Sequence, residues 1–109
     1  MGWIGIYKNK DLPIQPGELV TEYIDKAAVA NVVTILGAGH ASAGDDDCKK
    51  IRYIVGCVDQ QRGTTAGTSA SSYAITTDEN VNDTLAITQT AGTATAAHFV
   101  EVVGFVDEV

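Results

Sequence analysis

Proline is almost absent from this chain. The two that occur, Pro13 and Pro16, both precede Glu18, so beyond Gly17 no residue lacks the N–H that a sheet ladder needs. Long apolar runs are missing as well: no stretch approaches the ~18 consecutive apolar residues that a membrane-spanning helix requires. The opening Met1-Gly-Trp-Ile-Gly-Ile-Tyr-Lys8 has no basic segment followed by an apolar one, and the expectation is of a protein that is not exported. Gly2 is not read as a myristoylation site, because Ile6 stands where that motif wants Ser or Thr. Basic groups are scarce, with 7 Lys and Arg against 14 Asp and Glu for a formal net charge of −7. Such a surface repels phosphate backbones and anionic lipid, so neither nucleic acid nor membrane is expected as a partner.

Cysteine is limited to Cys48 and Cys57. Along one extended segment, nine residues at ~3.3 Å each set the two thiols up to ~30 Å apart, far beyond the ~6 Å between Cα atoms that a disulfide needs. They are expected to be free, as suits synthesis in a reducing cytoplasm. Cys48, beside Asp46 and Asp47, is expected to be the more accessible of the pair.

What is present is a run of short apolar segments separated by Thr, Ser, Gly and Ala. In Lys50-Ile-Arg-Tyr-Ile-Val-Gly-Cys-Val58, period-two alternation places Ile51, Tyr53, Val55 and Cys57 on one face. In His98-Phe-Val-Glu-Val-Val-Gly-Phe-Val106, Val100, Val102 and Val106 share one face and Phe99, Val103 and Phe105 the other. Both segments are apolar on both faces, as strands covered on each side are. Further strands are expected at Ser72 to Thr76 and Thr84 to Gln89, with loops at Gly37 to Lys49 and Gln60 to Ser71 and a turn at Asp78-Glu-Asn80. Glu18 to Leu36 reads better as two strands than as one helix, although Val20, Ile24 and Ala27 also fall at helical spacing.

A chain of 109 residues with 45% hydrophobic and 19% charged residues is one globular domain. The expected fold is all-β, a single-domain β-sandwich or jelly roll of about seven short strands over residues 18–109. Residues 1–17 are expected to form an extended arm. Its apolar Trp3, Ile4, Ile6 and Tyr7 are too costly to leave in water, and Pro13 and Pro16 keep the segment from folding back as a helix or a central strand, so the arm is expected to dock on an adjacent subunit, with these four as the candidate partner-binding residues. The expected core includes Ile51, Tyr53, Val55, Ile87, Val100, Val102 and Phe105.

Sites of chemistry are weakly supported. Val32-Val-Thr-Ile-Leu-Gly-Ala-Gly39 followed by Asp59 outlines a dinucleotide-binding unit, but Ser42 replaces the third glycine and Ala41 to Lys50 is triply acidic with few large apolar groups. Asp45, Asp46 and Asp47 are adjacent rather than spaced as in a calcium loop, and read as a solvated acidic loop. His40 and His98 lack metal-ligand companions, which leaves no metal or other cofactor expected. Ser42 follows His40 where a nucleophile elbow needs Gly. Cys57 with His98 is a conceivable dyad, yet a mid-strand thiol is usually inert and His98, opening a strand, reads as a satisfied structural histidine. Asn82-Asp83-Thr84 is a glycosylation sequon by composition. Trp3 with Tyr7, Tyr23, Tyr53 and Tyr73 could build a sugar-stacking platform, but they are scattered over different elements.

The whole of this profile, a small acidic all-β chain rich in Thr, Ala and Gly with a Pro-punctuated aromatic arm, resembles small virion structural proteins of tailed bacteriophages, in particular capsid decoration or cement proteins. The resemblance is one of general character and carries no diagnostic motif. It implies a non-enzymatic protein, made in the host cytoplasm and located in the virion, that binds the outside of an assembled capsid. It also implies a homo-oligomer that touches the major capsid protein or other virion subunits. The alternative reading is a carbohydrate- or ligand-binding β-sandwich module.

Overall fold

A computed structural model describes residues 2–7, 14–15, 17–39, 46–62, 71–77, 82–90 and 93–106. Seven strands are present: β1 (Gly2–Tyr7), β2 (Leu19–Ala27), β3 (Val32–Leu36), β4 (Ile51–Arg62), β5 (Ser71–Thr76), β6 (Thr84–Gln89) and β7 (Ala97–Val106). The described residues contain no helix, so none is long and apolar enough to cross a membrane. The region Glu18 to Leu36 is two strands, as the alternation indicated.

The strands form two antiparallel sheets, one in the order β1-β2-β7-β4 and the other β3-β6-β5. Pairing is nested, β2 with β7 and β3 with β6, and the chain changes sheets between β2 and β3, β3 and β4, β4 and β5, and β6 and β7. That wrapped order is how a jelly roll winds. The first change of sheet is a two-residue turn at Ala30 and Asn31, both with positive φ (51° and 71°), closed by a Val29–Val32 bridge.

Alternation delivers one face of each strand to the space between the sheets. Val20 and Ile24 of β2, Val33 and Ile35 of β3, Leu85 and Ile87 of β6, and Val100, Val102 and Val106 of β7 are buried there with Ile51 and Ile54 of β4. Core burial is the main stabilising term, about 25 cal/mol for each Å² of apolar surface removed from water.

Three expected core residues are not in the core: Tyr53 is 38% exposed, Val55 54% and Phe105 43%. The reasons differ. On β4 the register shifts twice, between Ile51 and Tyr53 and between Ile54 and Gly56, and each bulge reverses the phase of the alternation. On β7 the phase holds, but among the described residues only the inner face is covered, by the second sheet; Phe105 points to the other side and stays exposed.

Gly2–Tyr7 is not a free tail. It pairs antiparallel with β2 as the outer strand of the four-stranded sheet, with Trp3 opposite Ile24 and Ile6 opposite Glu22. Ile6 packs against the core, and Ile4, at the register shift, is exposed. Residues 2–7 thus lie on their own domain and not on the adjacent subunit expected, because the strand ends at Tyr7, ahead of both prolines, and keeps every N–H it needs to pair with β2. Pro13, Pro16 and the Tyr7 side chain lie outside the described residues.

Candidate interaction surface and buried polar clusters

The outer face of the four-stranded sheet carries a group of exposed large apolar side chains. Register places Leu19 of β2 opposite Phe105 of β7, and Phe105 opposite Tyr53 of β4, so three apolar side chains form one row across three strands. All three are exposed, as are Val55 and Val58 further along β4. The Arg52 guanidinium lies 5.1 Å from the centre of the Tyr53 ring. Towards the other end of the sheet Tyr23 and Phe99 stack with ring centres 5.9 Å apart. Sequence reasoning recognised these residues as apolar and assigned Tyr53, Val55 and Phe105 to the core, because an uncovered apolar face has the same periodicity as a covered one.

Beneath this face lie three buried polar clusters. Glu22, fully buried on the inner face of β2, accepts N–H donors from Lys49 (2.7 Å), Lys50 (2.9 Å) and Ile51 (2.6 Å), and from the indole of Trp3. One carboxylate therefore ties the entry to β4 and the side chain of β1 to β2. Its signal in the sequence was an acidic residue at an inward position between Val20 and Ile24.

Asp47 accepts the Leu36 amide at 2.8 Å and pairs with Lys26 at 3.0 Å, while the Lys26 ammonium also donates to the Thr34 carbonyl. It is an anchored acid rather than a solvated one. Asp45, with His40 and Ser42, lies outside the described residues. Asp83 is buried, accepting the Ile54 amide at 2.7 Å where β4 bulges, and its Oδ1 has no hydrogen-bond partner among the described residues. Asn82 of the sequon is buried and donates to the Gly37 carbonyl, which withdraws it from a glycosyl-transfer reaction.

His98 is fully buried on β7. Its Nδ1 faces Asp59 Oδ1 at 2.8 Å and its Nε2 faces Gln89 Oε1 at 2.8 Å. The Gln89 amide nitrogen donates to the Thr93 carbonyl, which fixes the oxygen end towards the histidine, so both ring nitrogens face oxygens. The arrangement has the outline of an acid–histidine dyad, but Gln89 occupies the place of a nucleophile and the ring is out of reach of solvent. Cys57, the other half of the conceivable dyad, has no hydrogen bond to His98 among the described contacts, and burial, with help from Asp59, pushes its thiol up to about 11. The pair is a satisfied structural unit, as the position of His98 suggested.

Both cysteines are free, and the expected order of accessibility is reversed: Cys48 is 1% exposed whereas Cys57 is half-buried. Cys48 turns inward against the core because its amide and that of Asp47 bond to the Leu36 carbonyl. Burial first, then Glu22, Asp47 and Asp46, push its thiol far up.

The dinucleotide outline is not realised. β3 and β4 belong to different sheets, and Gly37 is enclosed by backbone: a Cβ there would lie 2.8 Å from the Arg52 carbonyl oxygen and 3.0 Å from that of Ile51. Its glycine serves a close approach of two chain segments rather than a pyrophosphate. Among the described residues no group of three or more His, Cys, Asp or Glu is placed to hold a metal ion. The tyrosines are not gathered into one cleft: Tyr23 and Tyr53 lie on the outer face of the four-stranded sheet, and Tyr73 stands at the edge of the other. Comparison with known proteins finds no matching family model, no matching curated protein and no matching solved structure.

Proposed function

We propose that the protein is a structural virion component, a decoration or cement subunit that binds the outside of an assembled capsid and reinforces it. The observation that carries the reading is the exposed row Leu19, Phe105 and Tyr53, extended by Val55 and Val58, on the side of the four-stranded sheet that faces away from the core. Large apolar side chains left on one sheet face favour burial against another protein. A flat face backed by a cross-tied sandwich suits a load-bearing contact, because Glu22, Asp83 and His98 link segments distant in sequence and resist sliding of one strand past another.

In this reading the major capsid protein or another virion subunit covers the face. The protein is then not an enzyme, needs no cofactor, and acts in the virion after synthesis in the host cytoplasm. A carbohydrate-binding module is less well supported, since one face of the Tyr53 ring already carries Arg52 and the tyrosines share no cleft.

Sedimentation with purified capsids from the source material tests the proposal. Wild-type protein is expected to co-sediment at saturable stoichiometry, and Phe105→Glu, with an unchanged circular dichroism spectrum, to remain at the top of the gradient. Wild-type protein that never sediments with capsids refutes the reading; a Phe105→Glu variant that binds at full strength removes this face from it.

A further inference from the structure

A sheet sandwich has four edges, and each is a row of backbone groups able to pair with another chain. Three are managed. The free edge of β3 is capped: Val32 exchanges backbone bonds with Val29, the Thr34 carbonyl accepts Lys26, and Leu36 is held on both its N–H and its carbonyl by Asp47 and Cys48. The edge strand β1 carries a register shift between Trp3 and Gly5. The edge strand β4 carries two register shifts, and its opening residues are taken by Ala38, which donates to the Ile51 carbonyl, and by Asp83.

The edge strand β5 has none of these devices. Ser71-Ser-Tyr-Ala-Ile-Thr76 contains no charge and no proline, and its register against β6 runs without a break. Among the described residues no loop amide or carbonyl bonds to its backbone outside that ladder. Tyr73 and Ile75 point inward, opposite Ile87 and Leu85, yet Tyr73 is 49% exposed because the sandwich is open along this side.

We propose that β5 is a self-association site, at which a second copy of this chain pairs its own β5 antiparallel across a two-fold axis through Ala74. The register selects the occupant. With Ala74 opposite Ala74 of the second copy, each Tyr73 faces an Ile75 and each Ser72 faces a Thr76. Every cross-strand pair is then of a stabilising kind, aromatic with β-branched or hydroxyl with hydroxyl, and the smallest side chain sits on the axis. No like charges meet. The three-stranded sheet becomes a continuous six-stranded one, and the half-exposed Tyr73 and Ile75 are covered. The pairing is independent of what covers the outer face of the four-stranded sheet.

The experiment combines native mass with a cysteine placed on the axis, using the full chain without capsids. Directly opposed residues of an antiparallel pair have Cα atoms ~4.5–5.5 Å apart, within disulfide range. The native mass is expected to be an even multiple of the 11.4 kDa chain, and Ala74→Cys to form a covalent dimer under mild oxidation. Thr34→Cys, on the capped β3 edge and equally exposed, is expected to stay uncrosslinked. Ala74→Lys sets two ammonium groups face to face and is expected to halve the native mass at low salt without loss of fold, since the side chain points outward from the sheet. A monomeric or odd-numbered wild type, or Ala74→Cys crosslinking no faster than Thr34→Cys, overturns the proposal.

Discussion

Replacing Glu22 by Gln is the sharpest probe of how this sandwich is tied together, because the change keeps shape and removes only acceptor capacity. Each carboxylate oxygen faces two N–H donors: Oε1 receives Lys49 and the Trp3 indole, and Oε2 receives Lys50 and Ile51. A carboxamide has one acceptor oxygen, so whichever way it turns, its NH2 group confronts two N–H donors, which are part-buried except for the buried Ile51 amide. At about 1–3 kcal/mol for each unsatisfied donor, the expected loss is roughly 2–5 kcal/mol. That is a large part of the ~5–15 kcal/mol available to a small domain. With a urea slope of about 1–3 kcal/mol per molar, the unfolding midpoint should fall by roughly 1–2 M. Trp3→Phe removes one donor and leaves the other three bonds intact, so its cost should be about 1 kcal/mol and should shrink in the Glu22→Gln background. Circular dichroism across a urea titration reads all four proteins. A Glu22→Gln midpoint within ~0.3 M of wild type, on a slope in that range, would refute the four-donor geometry.

Two further outcomes follow from the same packing. At Gly104, a Cβ would lie 2.4 Å from both the Tyr53 carbonyl oxygen and Ile51 Cγ2, so Gly104→Ala should lose stability at or above the upper end of the ~1–3 kcal/mol usual for overpacking, read from its urea midpoint. Alkaline pH should weaken the fold through the thiols: Cys57 stays protonated in the fold to about 11, whereas an ordinary thiol gives up its proton near 9.0. The folded state then binds more protons than the unfolded one, so stability falls as pH rises from about 9 towards 11. Cys48, shifted in the same direction, adds to the fall, and a Cys48→Ala, Cys57→Ala double variant should show a flatter alkaline limb in midpoint against pH.

The strands were legible because their apolar positions alternate, and residues such as Val100, Val102 and Ile87 are buried where period two places them. The direction of the uncovered face was not legible. Leu19, Tyr53 and Phe105 are as apolar as core residues, and the only cue separating them is which side the second sheet lies on. The two bulges of β4 added to this, since no local residue pattern marks a change of phase at Tyr53 or at Val55. The His98 cluster was half legible: the histidine's position at the start of an apolar strand indicated burial. Its partners Asp59 and Gln89 lie 39 and 9 residues away, and only the sheet pairing brings them together. Cys48 was misplaced because its acidic neighbours suggested solvent, whereas Glu22 and the Leu36 carbonyl turn that segment into the core.

Hydroxyl-radical footprinting of the protein free and bound to capsids tests the central claim most directly, since aromatic side chains label readily and Tyr53 and Phe105 are exposed in the free chain. The proposed docking predicts strong protection of Tyr53 and Phe105 on binding, with little further change at Tyr73. Equal labelling of Tyr53 and Phe105 in the two states, with protection elsewhere on the chain, would contradict it.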